Sequence, residues 1–209
     1  MPTDPTYARS VLVLFAHPAQ TRSQVNRVLF DAAQVLDGIT AIDLYRDYPR
    51  FDIDIDREQA RLREHDVIIF QHPFYWYSTP ALLKEWQDLV LEYGFAYGEG
   101  GDALTGKIFF NALSAGGPKA AYGPGGYNRR TLRELLYPLE QTAHLCGMTW
   151  LPPFAVYRSR HAAEDGVTDT HRAEWLRLLR ALRDDTLDIE AAQPLERLND
   201  GLDTIIKGA

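Results

Sequence analysis

The sequence predicts a doubly wound α/β fold: a five-stranded parallel sheet in the order 2-1-3-4-5 with helices on both faces. Three observations carry this. The apolar runs at 10–16, 66–71 and 107–113 are continuous instead of alternating, so they read as strands buried on both faces. Segments with helical spacing fall between the runs, which is the pattern of βαβ units. No internal repeat or low-complexity block breaks the alternation.

The elements follow in order. The first strand, 10–16, ends at His17-Pro18. After a polar loop, Ser23 can cap a helix running through Val25, Leu29, Ala32, Ala33 and Leu36, and Gly38 ends it. Residues 39–44 form a shorter second strand with Asp43 facing outward. Residues 45–56 read as an acidic, aromatic loop, and 57–65 as a short charged helix with a solvated face. The third strand, 66–71, runs into His72-Pro73-Phe74-Tyr75-Trp76-Tyr77-Ser78-Thr79-Pro80. Pro80 opens the next helix, since proline suits the first helical position, and that helix reaches about Glu92. A glycine-rich connection spans 94–106. The fourth strand, 107–113, ends at Ser114-Ala115-Gly116-Gly117, and a long loop continues to Asn128. Residues 129–146 read as a long helix kinked by Pro138. Residues 149–157 read as a fifth strand, set at the sheet edge by Pro152-Pro153. The last helix, 170–184, carries Ala173, Leu176, Leu179 and Leu182 on one stripe. One domain over 1–185 is expected, followed by a loosely held acidic tail at 186–209. Five strands connected in this way suit a flavodoxin-like sheet, whose ligands bind beyond the carboxyl ends of strands 1, 3 and 4.

Composition narrows the function. The chain has 209 residues, 45% hydrophobic and 24% charged, values that exclude a disordered chain. The net charge of −7 argues against a nucleic-acid partner, which needs a basic face. The single cysteine, Cys146, excludes an internal disulfide framework and fits a reducing compartment. The longest early apolar stretch, 11–16, is too short for a signal-peptide core or a membrane span. The expected location is the cytoplasm, with peripheral docking at the inner face of the cell membrane left open.

The three loops beyond strands 1, 3 and 4 are the candidate site. The first offers a helix N-terminus with Ser23, Asn26 and His17 nearby, a set suited to a phosphate. The same residues also suit a plain cap and turn. The second packs four aromatics, Phe74, Tyr75, Trp76 and Tyr77, between Pro73 and Pro80, where a flat ring could stack. They equally suit a core edge or a subunit contact. In the third, Gly116 and Gly117 let backbone approach a ligand closely, or simply make a tight turn.

Two lookalikes fail on context. Gly101 to Lys107 resembles a P-loop, but the next residue is Ile108 and the lysine enters a strand. Gly98 to Ala103 resembles a dinucleotide fingerprint and fails for the same reason. The six histidines lack HxH or HExxH spacing, so no metal site is expected. Cys146, among Ala143, Leu145 and Met148, reads as a small buried apolar residue.

The run Gln71-His72-Pro73-Phe74-Tyr75-Trp76-Tyr77-Ser78-Thr79-Pro80-Ala81-Leu82-Leu83-Lys84-Glu85-Trp86 resembles the signature of flavodoxin-fold NAD(P)H:quinone reductases. Within that family it is most similar to the ancillary proteins of bacterial glutathione-gated potassium efflux systems. Phe15-Ala16-His17-Pro18, Tyr48-Pro49-Arg50-Phe51-Asp52-Ile53-Asp54-Ile55 and Gly94-Phe95-Ala96-Tyr97-Gly98 extend the match. The resemblance implies bound FMN. Its phosphate would lie on His17, Ser23, Gln24, Val25 and Asn26. Its ring would lie on Phe74, Tyr75, Trp76, Tyr77, Ser114, Ala115, Gly116 and Gly117, with backbone N–H groups of 75–77 and 115–117 facing the flavin. Tyr122 and Asn128 take the catalytic places. Asn128 stands where well-studied members carry a histidine, and an amide cannot deliver a proton near neutral pH. The implied reaction is two-electron ping-pong transfer of hydride from NAD(P)H to a quinone, in a homodimer. A regulatory subunit of a potassium efflux antiporter, with little or no turnover, is the alternative the resemblance also implies. A flavodoxin-type one-electron carrier is a third possibility.

Overall fold

The computed structural model describes residues 7–208. Six parallel strands form one sheet in the order β2-β1-β3-β4-β5, with β6 also paired to β4. The strands are β1 (Val11–Phe15), β2 (Ile39–Asp43), β3 (Val67–Pro73), β4 (Ile108–Ser114), β5 (Thr149–Trp150) and β6 (Phe154–Val156). The flavodoxin-like order expected from the sequence is the observed one.

Every residue of β1, β3 and β4 is buried, as continuous apolar runs require. Alternate side chains then feed two cores. Leu12, Leu14, Ile68 and Phe70 join one core with α3 (Ile55–Glu64), α4 (Ala81–Val90) and α6 (Tyr137–Leu145). Val11, Val13, Val67 and Ile69 join the other with α1 (Asn26–Gln34) and α7 (Thr168–Arg183). The Trp175 indole locks α7 to α1 by donating to the Leu29 carbonyl at 3.1 Å.

Several sequence expectations need correction. Asp43 does not face outward. It is buried, and its carboxylate accepts from the Arg46 N–H, capping a short helix α2 (Leu44–Asp47) where a loop was expected. The charged helix is only half solvated. Glu58 on α3 is fully buried and accepts from the Tyr48 hydroxyl at 2.5 Å and the Trp86 indole at 3.0 Å, and it pairs with Arg61. The expected long helix at 129–146 is two helices, α5 (Leu132–Leu135) and α6, meeting at Leu136. Pro138 cannot donate a backbone hydrogen bond, so it fits the first turn of a new helix and not the interior of an old one. The expected fifth strand is likewise two pieces, because Pro152 and Pro153 have no N–H for the ladder. On α7, Ala173 is exposed, and the buried stripe runs through Trp175, Leu178, Leu179 and Leu182. Pro80 is the residue before α4, not its first.

The segment after 185 is not loosely held. Leu187, Ala192, Leu198, Leu202 and Ile205 are buried in the second core, Ala192 from α8 (Ile189–Ala192), Leu202 and Ile205 from α9 (Leu202–Ile205), and Leu187 and Leu198 from the chain between the α-helices. Each larger aliphatic side chain so buried contributes about 1.5–3 kcal/mol. The five are spaced irregularly along the chain, which is why no helical or strand period announces them.

Candidate functional site

The three loops leave the carboxyl ends of β1, β3 and β4 side by side, as the parallel register dictates. Asn26, 1% exposed at the start of α1, ties them together. Its Nδ2 donates to Ser114 Oγ at 2.6 Å, and its carbonyl accepts from Gln71 Nε2 at 2.7 Å. Phe74 N–H donates to the Ser114 carbonyl at 2.8 Å. One residue from each loop thus meets in a buried polar floor.

The first loop leaves donors open at a helix N-terminus. Among the described residues, the backbone N–H groups of Gln24, Val25 and Asn26 have no hydrogen-bond acceptor. They open the helix at the positive end of its dipole. Ser23 does not sit at the capping position, which Val25 occupies, yet its Oγ accepts from the Arg27 N–H at 3.0 Å. The Val25 side chain is in the core, so only its backbone faces the loop. Gln24 is exposed. His17 is buried, and its Nδ1 accepts from the Ala19 N–H at 3.1 Å, which leaves Nε2 to carry the ring proton. Burial pushes its pKa below the ordinary value, against the opposing pull of Asp43. Asp43 is occupied by Gln20 Nε2, at 2.9 and 2.8 Å from its two oxygens.

The second loop is the strained one. Trp76 and Tyr77 both have left-handed backbone, at φ 49° and 63°, which costs bulky residues of order 1–3 kcal/mol each. Trp76 is 92% exposed, and Tyr75 and Tyr77 are exposed too, while Phe74 is buried. Tyr75 meets the His17 ring edge-on at 6.2 Å. The Tyr75 N–H is taken by the Pro73 carbonyl, so among the described residues the amides of Trp76 and Tyr77 are the ones left open on this side.

The third loop is pinned from behind by the strand-end segment after β6. Ala115 N–H donates to Val156 O at 2.8 Å, Arg158 N–H to Gly117 O at 3.0 Å, and Ser159 N–H to Ala115 O at 3.1 Å. The Ala115 amide is therefore spent, and Gly116 and Gly117 supply the free ones. Beyond them, Gly126 is a residue the sequence reading passed over. A Cβ there would stand 2.3 Å from the Ala121 carbonyl oxygen, so only glycine lets 122–128 close, with Asn128 N–H on Ala121 O at 3.1 Å. Tyr122 and Asn128 come together across a hollow of about 170 Å³ with Phe74, Trp76, Tyr77 and Tyr127. Burial raises the Tyr122 pKa, so its hydroxyl remains a donor at neutral pH. The Tyr77 hydroxyl donates to Asn128 Oδ1 at 3.0 Å.

Elsewhere, Cys146 is 3% exposed and burial pushes its thiol pKa up. Among the described residues no cluster of His, Cys, Asp and Glu could hold a metal ion, and no helix is long and apolar enough to cross a membrane.

A parallel sheet of this order with three loops joined at their bases defines a flavodoxin-like protein, and a family model of the flavodoxin-like fold matches residues 9–179. The ancillary protein KefG of the glutathione-regulated potassium-efflux system of Serratia proteamaculans is 51% identical over 170 residues, 80% of this chain and 92% of that one. General stress protein 14 of Treponema denticola, solved in complex with FMN, is 38% identical, with a TM-score of 0.78 over 83% of this chain and 99% of that one. An NADPH-quinone reductase of P. pentosaceus is 31% identical, with a TM-score of 0.73 over 81% and 96%. The chain belongs to the flavodoxin-fold family of NAD(P)H:quinone reductases and potassium-efflux ancillary proteins.

Proposed function

We propose that the chain is an FMN-dependent NAD(P)H:quinone reductase of the two-electron ping-pong type. The observation that carries this is the joint at Asn26. It fastens a helix N-terminus, whose first three N–H groups meet no acceptor among the described residues, to the loop that leads to Tyr122.

The residues fit FMN. Gln24, Val25 and Asn26 N–H, the Ser23 hydroxyl and the His17 Nε2–H form a donor set for a phosphate. Asn26 Oδ1 is buried without a donor among the described residues, and a polyol chain carries the hydroxyl such an atom lacks. The aromatic loop and Ser114 to Gly117 would hold the ring. FMN, when bound, supplies the two-electron chemistry, and the protein supplies position and electrostatics. Amides of Trp76, Tyr77, Gly116 and Gly117 would face negative charge as it develops. The Tyr122 hydroxyl would donate to the acceptor oxygen. Asn128, with its Oδ1 occupied by Tyr77, would offer Nδ2 as a second donor but no proton. The exposed ring of Trp76 supports a homodimer built over this loop.

A second reading has its own support. Relatives about half identical to this chain are named as ancillary to a potassium-efflux system, and Asn128 removes a titrating group from the acceptor side. A cytoplasmic subunit docked at the membrane's inner face on such an antiporter would need the fold, with little or no turnover.

One measurement separates them. The purified chain is soaked with FMN, desalted, and followed by absorption on adding NADPH and then a quinone. Retained flavin bands that bleach with NADPH and return with quinone support the reductase. Retained bands that NADPH does not bleach favour the regulatory subunit. Absence of retained flavin ends the reductase reading.

A further inference from the structure

Tyr122 is held in place by a segment that lies beyond the residues matched by the family model, which end at 179. Two routes reach it. In the first, the Tyr122 ring lies against Tyr157, with centroids 5.3 Å apart and planes tilted by 36°. The Arg197 guanidinium sits 5.1 Å from the Tyr157 ring centre. Arg197 is fixed in turn, donating to Asp200 at 2.6 and 3.2 Å and to the Ala155 carbonyl at 2.8 Å. In the second route, Tyr122 N–H donates to the Lys119 carbonyl at 3.0 Å, and Lys119 Nζ donates to Asp200 Oδ1 at 3.1 Å. Both routes end on the Asp200 carboxylate. Asn199 strengthens the same corner, its Oδ1 accepting from the Ala155 N–H at 2.8 Å.

The two arms are unequal. The Arg197 side chain is largely buried and makes a forked, two-oxygen contact, whereas the Lys119 side chain is mostly exposed. Forked guanidinium–carboxylate pairs resist screening and fix direction, whereas the exposed Lys119 ammonium, 3.1 and 3.4 Å from the two oxygens, is screened and fixes no direction. The Arg197 arm is therefore the one that sets geometry, and the planar guanidinium suits it to lie on a ring.

We propose that Arg197 and Asp200 are positioning residues for Tyr122, bracing its ring at the acceptor hollow from outside the part of the chain that binds the cofactor. This rests on the role given to Tyr122 above. It explains why 186–208 is folded onto the sheet instead of trailing from it: the segment closes the loop on which acceptor chemistry depends.

The test uses the full chain and five variants: R197A, R197K, D200N, Y122F and the double variant R197A/Y122F. The first readout is amide hydrogen exchange, which needs no turnover. R197A and D200N should speed exchange in 117–123 about tenfold or more, with 24–28 changed less than twofold, since local opening is governed by local contacts. The second readout is kinetic, with 1,4-benzoquinone. R197A should lower kcat about five- to tenfold with the FMN Kd within twofold, R197K should recover part of the loss, and R197A in the Y122F background should cost nothing further. The proposal is overturned if exchange in 117–123 stays at the wild-type rate in R197A and D200N, or rises equally along the whole chain. Localised loosening in a chain without quinone turnover supports the brace and removes the reductase reading. Unchanged exchange in an active chain overturns the brace and leaves that reading standing.

Discussion

The two walls of the candidate site are built differently. The first-loop wall, His17 to Asn26, has His17 and Asn26 buried and three side chains tied down, His17 to Ala19, Asn26 to Ser114 and Gln20 to Asp43, while the amides of 24–26 stay open to a ligand among the described residues. The opposite wall, Trp76, Tyr77 and 122–128, is aromatic, partly exposed and locally strained. Buried side-chain hydrogen bonds rigidify a wall, and strain in an exposed loop persists only where surrounding structure enforces it. The contrast separates holding from exchanging. On the proposed function, the first wall would keep the cofactor through many turnovers and the second would admit and release substrates against it.

The largest effect should come from cutting the joint between the walls. Asn26→Ala removes the amide that reaches Ser114 and leaves that buried hydroxyl unpaired. Flavin-fluorescence titration should show FMN binding weakened by about 1.5–3 kcal/mol, roughly 10- to 150-fold in Kd. If Kd moves less than threefold, the joint does not organise the site.

Next in size is the far wall. Tyr122→Phe should lower quinone turnover about tenfold, near 1.4 kcal/mol, while leaving the FMN Kd within twofold. Equal losses in both quantities would erase the division between the walls.

Acid should act more gently, through His17 on the first wall and two further buried histidines, His65 and His72, outside it. Burial lowers the pKa of His17, His65 and His72. The unfolded chain takes up these protons first, near pH 6.5, so their contribution is complete above that pH and is lost as pH falls through it toward the folded values. Thermal melts should show Tm level from pH 8 to 7 and falling steadily from pH 6.5 to 5. FMN should blunt this fall, because a phosphate beside His17 favours the protonated ring. A Tm that rises on acidification contradicts the buried, neutral histidines.

The smallest effect on stability is expected at Trp76→Gly. Relief of left-handed strain and the added freedom of the unfolded chain oppose each other, so the net change should stay within about 0.5 kcal/mol by chemical denaturation. Sedimentation should show a larger effect, with weakened self-association, if this ring seals a dimer.

Much of this was legible in the residues. Continuous apolar runs announced β1, β3 and β4, and the parallel order put their loops together. Gly126 and Asp43 were harder to read. A glycine's need to avoid the Ala121 carbonyl, and a carboxylate's turn inward to cap α2, depend on where the chain has already gone. Gln71 sat in a recognisable motif, but its hydrogen bond to the Asn26 carbonyl spans 45 residues. The brace from Arg197 was invisible for the same reason, since stacking on Tyr157 leaves no period in the sequence.

Cys146 has a chemical consequence in this setting. A quinone is an electrophile as well as an oxidant, and thiolates add to its ring. The chain has one thiol, it is almost fully buried, and its raised pKa keeps the thiolate scarce. On the proposed reductase reading, a chain with no accessible thiol of its own would be spared alkylation by its substrate.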